Sequence, residues 1–75
     1  MVTVKVIHKS SGKPVKGRKV ALGINALLSG GVTSGEWTDS NGEANFDVKP
    51  NHGKVFIDGH TKHEGYLSGK IIVYI

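Results

Sequence analysis

Cysteine is absent from this 75-residue chain, which excludes disulfides and thiolate-bound zinc as sources of stability. Acidic residues are missing from its first 35 positions. Lys5, Lys9, Lys13, Lys16, Arg18 and Lys19 all precede the first acid, Glu36, and the net charge is +4. No apolar run approaches the ~20 residues that a membrane-crossing helix requires. Met1 leads directly into Val2-Thr3-Val4-Lys5-Val6, with no apolar leader and no small-residue cleavage site. The expectation is a soluble protein without a membrane partner, either cytoplasmic or a module of a larger secreted chain. A single domain of this length buries only about 60–65% of its unfolded surface, and such cores supply no more than ~3–5 kcal/mol. Without disulfides, further support comes from metal through His and carboxylates, from a second copy, or from a parent protein.

What the chain does have is a period of two. Val2, Val4 and Val6 alternate with Thr3, Lys5 and Ile7, and Val20, Leu22 and Ile24 alternate with Lys19, Ala21 and Gly23. Ala44, Phe46 and Val48 alternate with Glu43, Asn45 and Asp47. Such alternation marks strands with one buried face. Short runs at Glu36–Thr38, Val55–Ile57 and Ile71–Ile75 read as further strands. Turn signals separate them: Ser10 to Pro14, Asp39 to Gly42, Pro50 to Gly53, and Gly65 to Gly69. Asn41-Gly42 predicts a type I′ hairpin, because both residues tolerate positive φ. Asn25-Ala26-Leu27-Leu28-Ser29 permits a helix but is too short to hold one alone, and reads as a loop or one helical turn. The whole chain, 1–75, reads as one all-β domain: a small antiparallel β-sandwich of about six or seven strands.

Specific residues add a family resemblance. Val4-Lys5-Val6-Ile7, then Gly12-Lys13-Pro14-Val15-Lys16-Gly17, then Val20-Ala21-Leu22 resembles the first hairpin of prealbumin-like sandwiches. That group includes transthyretin, the carboxypeptidase regulatory-like domains and the collagen-adhesin B-type repeats. Thr38-Asp39-Ser40-Asn41-Gly42-Glu43-Ala44-Asn45-Phe46 is similar to the family's T-D-x-x-G-x-a-x-F hairpin, and Val55-Phe56-Ile57-Asp58-Gly59 to the following V-x-V-x-G strand and turn. The resemblance implies a prealbumin-like fold over roughly two-thirds of the chain. Two activities within the group are not implied. The hydroxyisourate hydrolases end in Y-R-G-S, whereas this chain ends Ile72-Val73-Tyr74-Ile75. The isopeptide bond of adhesin repeats joins an early lysine, for which Lys5 is placed, to an Asn or Asp that Lys70–Ile75 lacks.

Residues suited to chemistry are few. Asp58, His60 and His63 offer imidazole nitrogens and a carboxylate of the kind that zinc, nickel or copper accept. They are weak metal candidates, because Lys62 repels a cation and the spacing matches no metal motif; a solvated loop is the simpler account. There is no paired-carboxylate motif and no phosphate-cradling glycine loop. No enzymatic activity and no cofactor are expected.

Binding is the better prospect. Trp37 and Tyr66 are candidate stacking residues, although Trp37 serves equally well as a core anchor. Ile7, Phe56, Ile72 and Tyr74 lie on the opposite phase from the core residues of their strands, so each of these strands is apolar on both faces. A second apolar face left uncovered marks an interface. The leading expectation is therefore a structural or interaction module with a protein partner or a second copy of itself, most simply a dimer, docking through those four residues. The alternative is a small basic nucleic-acid-binding barrel of OB or SH3 type, using Lys9, Lys13, Lys16, Arg18 and Lys19; the basic stretch itself contains no aromatic residue to stack bases. A carbohydrate-binding module is the third.

Overall fold

Burial along the chain follows the alternation that the sequence displays. A computed structural model describes residues 1–24 and 31–75; the helix-permissive Asn25–Ser29 stretch lies outside the described residues. The strands are β1 (Val2–Ile7), β2 (Lys19–Ile24), β3 (Glu36–Trp37), β4 (Glu43–Phe46), β5 (Asn51–Ile57), β6 (His60–Leu67) and β7 (Gly69–Tyr74). Among the described residues there is no helix. One sheet has the order β4-β1-β7 and the other β3-β2-β5-β6. Val2, Val4 and Val6 of β1, Val20 and Leu22 of β2, Phe46 of β4, Val55 and Ile57 of β5, and Ile71 and Val73 of β7 all turn inward and form one core. The cluster draws on both sheets, so the sheets face one another.

The pairing departs from a purely antiparallel sandwich. β1 and β7 run parallel, with Val4 opposite Ile71 and Val6 opposite Val73; every other named pair is antiparallel. The two expected hairpins are not hairpins within a sheet either. β1 pairs with β4 and β7, whereas β2 pairs with β3 and β5. The Gly12–Gly17 segment therefore carries the chain from one sheet to the other, and Asp39–Gly42 carries it back. Alternation specifies which side chains point inward, but it is silent about which strand lies alongside which.

The turns are also reassigned. At Asp39–Gly42 only Gly42 takes a positive φ, 74°. Its N–H donates to the Asp39 carbonyl at 2.9 Å, and Asp39 Oδ1 accepts the N–H groups of Asn41 and Glu43. This is a type I turn completed by a left-handed glycine, not type I′. The two-residue type I′ turn is Asp58-Gly59, with φ of 51° and 85°, and it opens the β5–β6 hairpin. The solvated-loop reading of Asp58–Glu64 is thereby corrected: from His60 onward the chain is strand. β6 was hidden because it lies at a sheet edge with only Leu67 buried, so it shows no alternation. Asn51, His52 and Gly53, read as a turn, belong to β5.

Thr38 is the buried polar residue among the described ones. Its hydroxyl donates to the Val15 carbonyl at 2.7 Å and accepts the Arg18 N–H at 2.9 Å. Its backbone N–H donates to the Arg18 carbonyl at 2.9 Å, and its carbonyl accepts the Gly17 N–H at 3.0 Å. The first two of the four sheet-to-sheet crossings, β1 to β2 and β3 to β4, are joined at this residue.

Replacing Thr38 with Val keeps the shape but leaves the Arg18 amide and Val15 carbonyl without their partner. We expect a loss of about 1–3 kcal/mol in urea unfolding; an unchanged midpoint contradicts the clasp. Phe46 is buried and Phe56 only half-buried. Phe46→Ala should lower stability by ~3–5 kcal/mol, enough to unfold most of the population, and Phe56→Ala by clearly less. A folded Phe46→Ala protein with near wild-type stability contradicts the inward placement of β4.

Candidate functional site

The outer face of the three-stranded sheet is built by the positions that alternate with its core. On β1 these are Thr3, Lys5 and Ile7, and on β7 Lys70, Ile72 and Tyr74, matched across the parallel pair as Thr3–Lys70, Lys5–Ile72 and Ile7–Tyr74. Ile71 and Val73 are buried, but Ile72 and Tyr74 remain 49% and 59% exposed, and Ile7 is half-buried. At the far end of the face Thr3 Oγ1 meets Asn45 Oδ1 at 2.7 Å, and Lys70 Nζ reaches Glu43 Oε2 at 2.9 Å. Polar pairs thus occupy one end and apolar side chains the other. β7 forms one edge of its sheet, and no described strand pairs with its outer side.

Phe56 does not join this patch. It lies on β5, in the other sheet, so the expected four-residue surface divides into Ile7, Ile72 and Tyr74 on one sheet and Phe56 on the other. The cause is again strand order: shared phase places residues on outer faces, but a sandwich has two of those.

On the outer face of the four-stranded sheet, Trp37 stands opposite Lys19, and Phe56 opposite Ala21. Trp37 is 64% exposed, so its reading as a core anchor is overturned: β3 is an edge strand and its Trp points outward. The Phe56 ring lies over Gly23, close enough that any side chain there would press on it, and the Lys19 stem lies over Gly35. Beside the small Ala21 side chain an open pocket of about 400 Å³ forms, lined by Lys19, Ala21, Val32, Thr33, Gly35 and Phe56 among others. Tyr66, 57% exposed, packs edge-on against His52 with ring centroids 5.1 Å apart. This pocket was missed in the sequence. Its signal was Ala21 and Gly23 on the outward phase of a strand, small residues where a solvated face normally carries long polar ones.

The basic residues do not form one patch. Lys9, Lys13 and Lys16 are exposed on the β1–β2 crossing, which is held by hydrogen bonds from His8 N to Lys13 O and from Lys9 N to Ile75 O. Arg18 is committed to Asp58, Nη1 to Oδ2 at 2.7 Å, and Lys19 faces out beside Trp37. At this end of the molecule His8, Arg18, Asp58, His60 and Lys62 surround a smaller pocket of about 200 Å³.

The metal candidates do not come together as a set. Among the described residues no three His, Cys, Asp or Glu gather as a group able to hold an ion. Asp58 is already engaged by Arg18 and by the Lys19 N–H at 3.3 Å. His60 pairs across from Ile57 and His63 from Val55, with a bulge between them.

The hydrogen bond from Arg18, then that from the Lys19 amide, holds the Asp58 carboxyl below its ordinary value. A carboxylate depressed in the folded state contributes stability above its unfolded pKa and loses it as pH falls through the folded one. Asp58→Asn keeps a residue that tolerates positive φ while removing the charge. The variant should melt below wild type at pH 7, by a small margin because the pair is exposed, and the difference should vanish in acid. A gap that persists in acid would assign the effect to the turn and not the ion pair.

Comparison of this chain with protein-family models, with curated proteins and with solved structures finds no match.

Proposed function

We propose that this domain is a non-catalytic interaction module, prealbumin-like in kind, that associates with a second copy of itself through β7. The observation that carries the reading is the two-sided apolar character of an edge strand: Ile71 and Val73 fill the core while Ile72 and Tyr74 stand exposed beside Ile7. An edge strand of this composition carries none of the usual protections against pairing, such as proline, a bulge or repeated lysine. Antiparallel pairing of β7 with its symmetry mate extends the three-stranded sheet across a twofold axis, the commonest closed arrangement. With the axis at Ile72, Lys70 of each copy lies opposite Tyr74 of the other, so no like charges meet. Covering the apolar end of the face contributes about 25 cal/mol for each Å² removed from water, a useful addition to so thin a core.

The prealbumin-like part of the reading rests on the sequence motifs, whose residues fall at the first two crossings and at the β5–β6 turn. Gly12 and Gly17 take positive φ of 71° and 78° at either end of the first crossing, and Val15 packs against the core. The Thr38, Asp39 and Gly42 positions of the second motif each have a distinct role in the second crossing, and Asp58-Gly59 forms the turn after the third.

A contact limited to one edge and half a face gives a weak dimer. Sedimentation equilibrium from micromolar to hundred-micromolar concentration should show a monomer–dimer transition, and Tyr74→Glu should abolish it and lower the melting temperature at high concentration. A strictly monomeric wild type over that range would refute self-association through β7.

A further inference from the structure

The face opposite the proposed dimer contact has a different character. Outward aromatic side chains occur on three strands of the four-stranded sheet: Trp37 on β3, Phe56 on β5 and Tyr66 on β6. Beside Phe56, Ala21 of β2 leaves the open pocket of about 400 Å³, which Lys19 also lines. Tyr66 is braced by His52, and Phe56 is seated on Gly23, so two of the three rings are fixed in place before any ligand arrives.

The same face carries Lys19 and Lys54. Lys19 pairs directly with Trp37 across the β2–β3 ladder. Lys54 stands on the outward phase of β5 between Phe56 and His52, with Glu64 opposite it. The basic stretch of the sequence has no aromatic residue of its own; the sheet supplies one by setting β3 beside β2.

Sequence-tolerant recognition of single strands needs flat aromatic platforms for bases and cations spaced along the backbone. We propose that the outer face of the four-stranded sheet binds single-stranded nucleic acid, with a base stacked on Trp37 and Lys19 and Lys54 contacting phosphates. Charge complementarity selects this occupant over a neutral glycan: stacking alone would suit a sugar, but a sugar has no use for the lysines that flank the rings. A duplex keeps its bases stacked on each other and denies Trp37 a partner. The proposal concerns the sheet opposite β7 and stands whether or not the chain dimerises.

Trp37 is the only tryptophan, which makes the proposed platform its own reporter. Titration with an oligothymidylate of about 15 nucleotides at several salt concentrations should quench its fluorescence saturably. The logarithm of affinity should fall linearly with the logarithm of salt, by about 0.7 for each phosphate contacted. Measured by anisotropy of a labelled oligonucleotide, Trp37→Ala should weaken binding about ten- to hundredfold, and Trp37→Phe should retain most of it. Lys19→Ala should reduce the salt slope by roughly one contact. Because Trp37 is exposed on an edge strand, neither Trp37 variant should change the melting temperature. Three results would overturn the proposal. These are no saturable quenching at low salt, salt-dependent binding that Trp37→Ala leaves unchanged, and quenching by neutral oligosaccharides with no response to the oligonucleotide.

Discussion

Four stretches of chain pass from one sheet to the other, and the Thr38 side chain and backbone tie the first two together. Its four hydrogen bonds, to Val15, Gly17 and Arg18, place the start of β2 against the end of β3 at one corner. Immediately beside it the Gly42 carbonyl accepts the Val6 N–H and the Val6 carbonyl accepts the Val15 N–H. Gly42 has no room for a side chain here, since one would meet the Val6 carbonyl and the Pro14 ring. A hydroxyl sequestered from water stays satisfied only if these partners keep their positions, so the corner couples the register of the two sheets. With it in place, the valines of β1 face those of β2 and β5 across the core. A shift of one residue in β1 would turn its three valines to solvent and its Lys5 inward.

Much of this fold was legible in the sequence, because burial within a strand repeats every two residues and leaves a visible trace. The inward sets of β1, β2, β4 and β7 were readable from Val2, Val20, Phe46 and Val73 and their alternates, as was the need for a left-handed glycine at position 42. The parallel pairing of β1 with β7 was not. Nothing in Val4 or Ile71 names the other as partner, since any two apolar strands satisfy the same pattern. β6 left no trace because an edge strand exposed along most of its length obeys hydrogen bonding, not hydrophobicity. The candidate sites show the same division. The outward placement of Ile7, Phe56, Ile72 and Tyr74 was readable, but their division between two faces and the meeting of Trp37 with Lys19 depend on strand order.

The two outer faces are chemically distinct for a structural reason. β1 and β7 lie side by side with their outward Ile7 and Tyr74 in register, so the apolar groups of that face collect at one end. On the other sheet the aromatic residues are dispersed over β3, β5 and β6 with lysines among them, and β2 contributes only Lys19, Ala21 and Gly23 to the space between. One face is a compact apolar end beside an open edge, and the other a broad, ring-studded surface that carries Lys19 and Lys54. A domain built this way has room for two contacts at once without competition between them.

The parallel ladder between β1 and β7 also dictates when the molecule is able to assemble. Val2 pairs with Gly69 and Ile7 with Tyr74, so the first strand of the domain, central in its sheet, has the domain's last strand for a neighbour. Until β7 is free, Val2, Val4 and Val6 lack half of their sheet and much of their cover. Contacts so distant along the chain must overcome the full entropy of closing the intervening loop before they return any stability. β5 and β6, joined by the short Asp58-Gly59 turn, are able to pair early, but the domain as a whole completes itself only after synthesis has passed through its final strand.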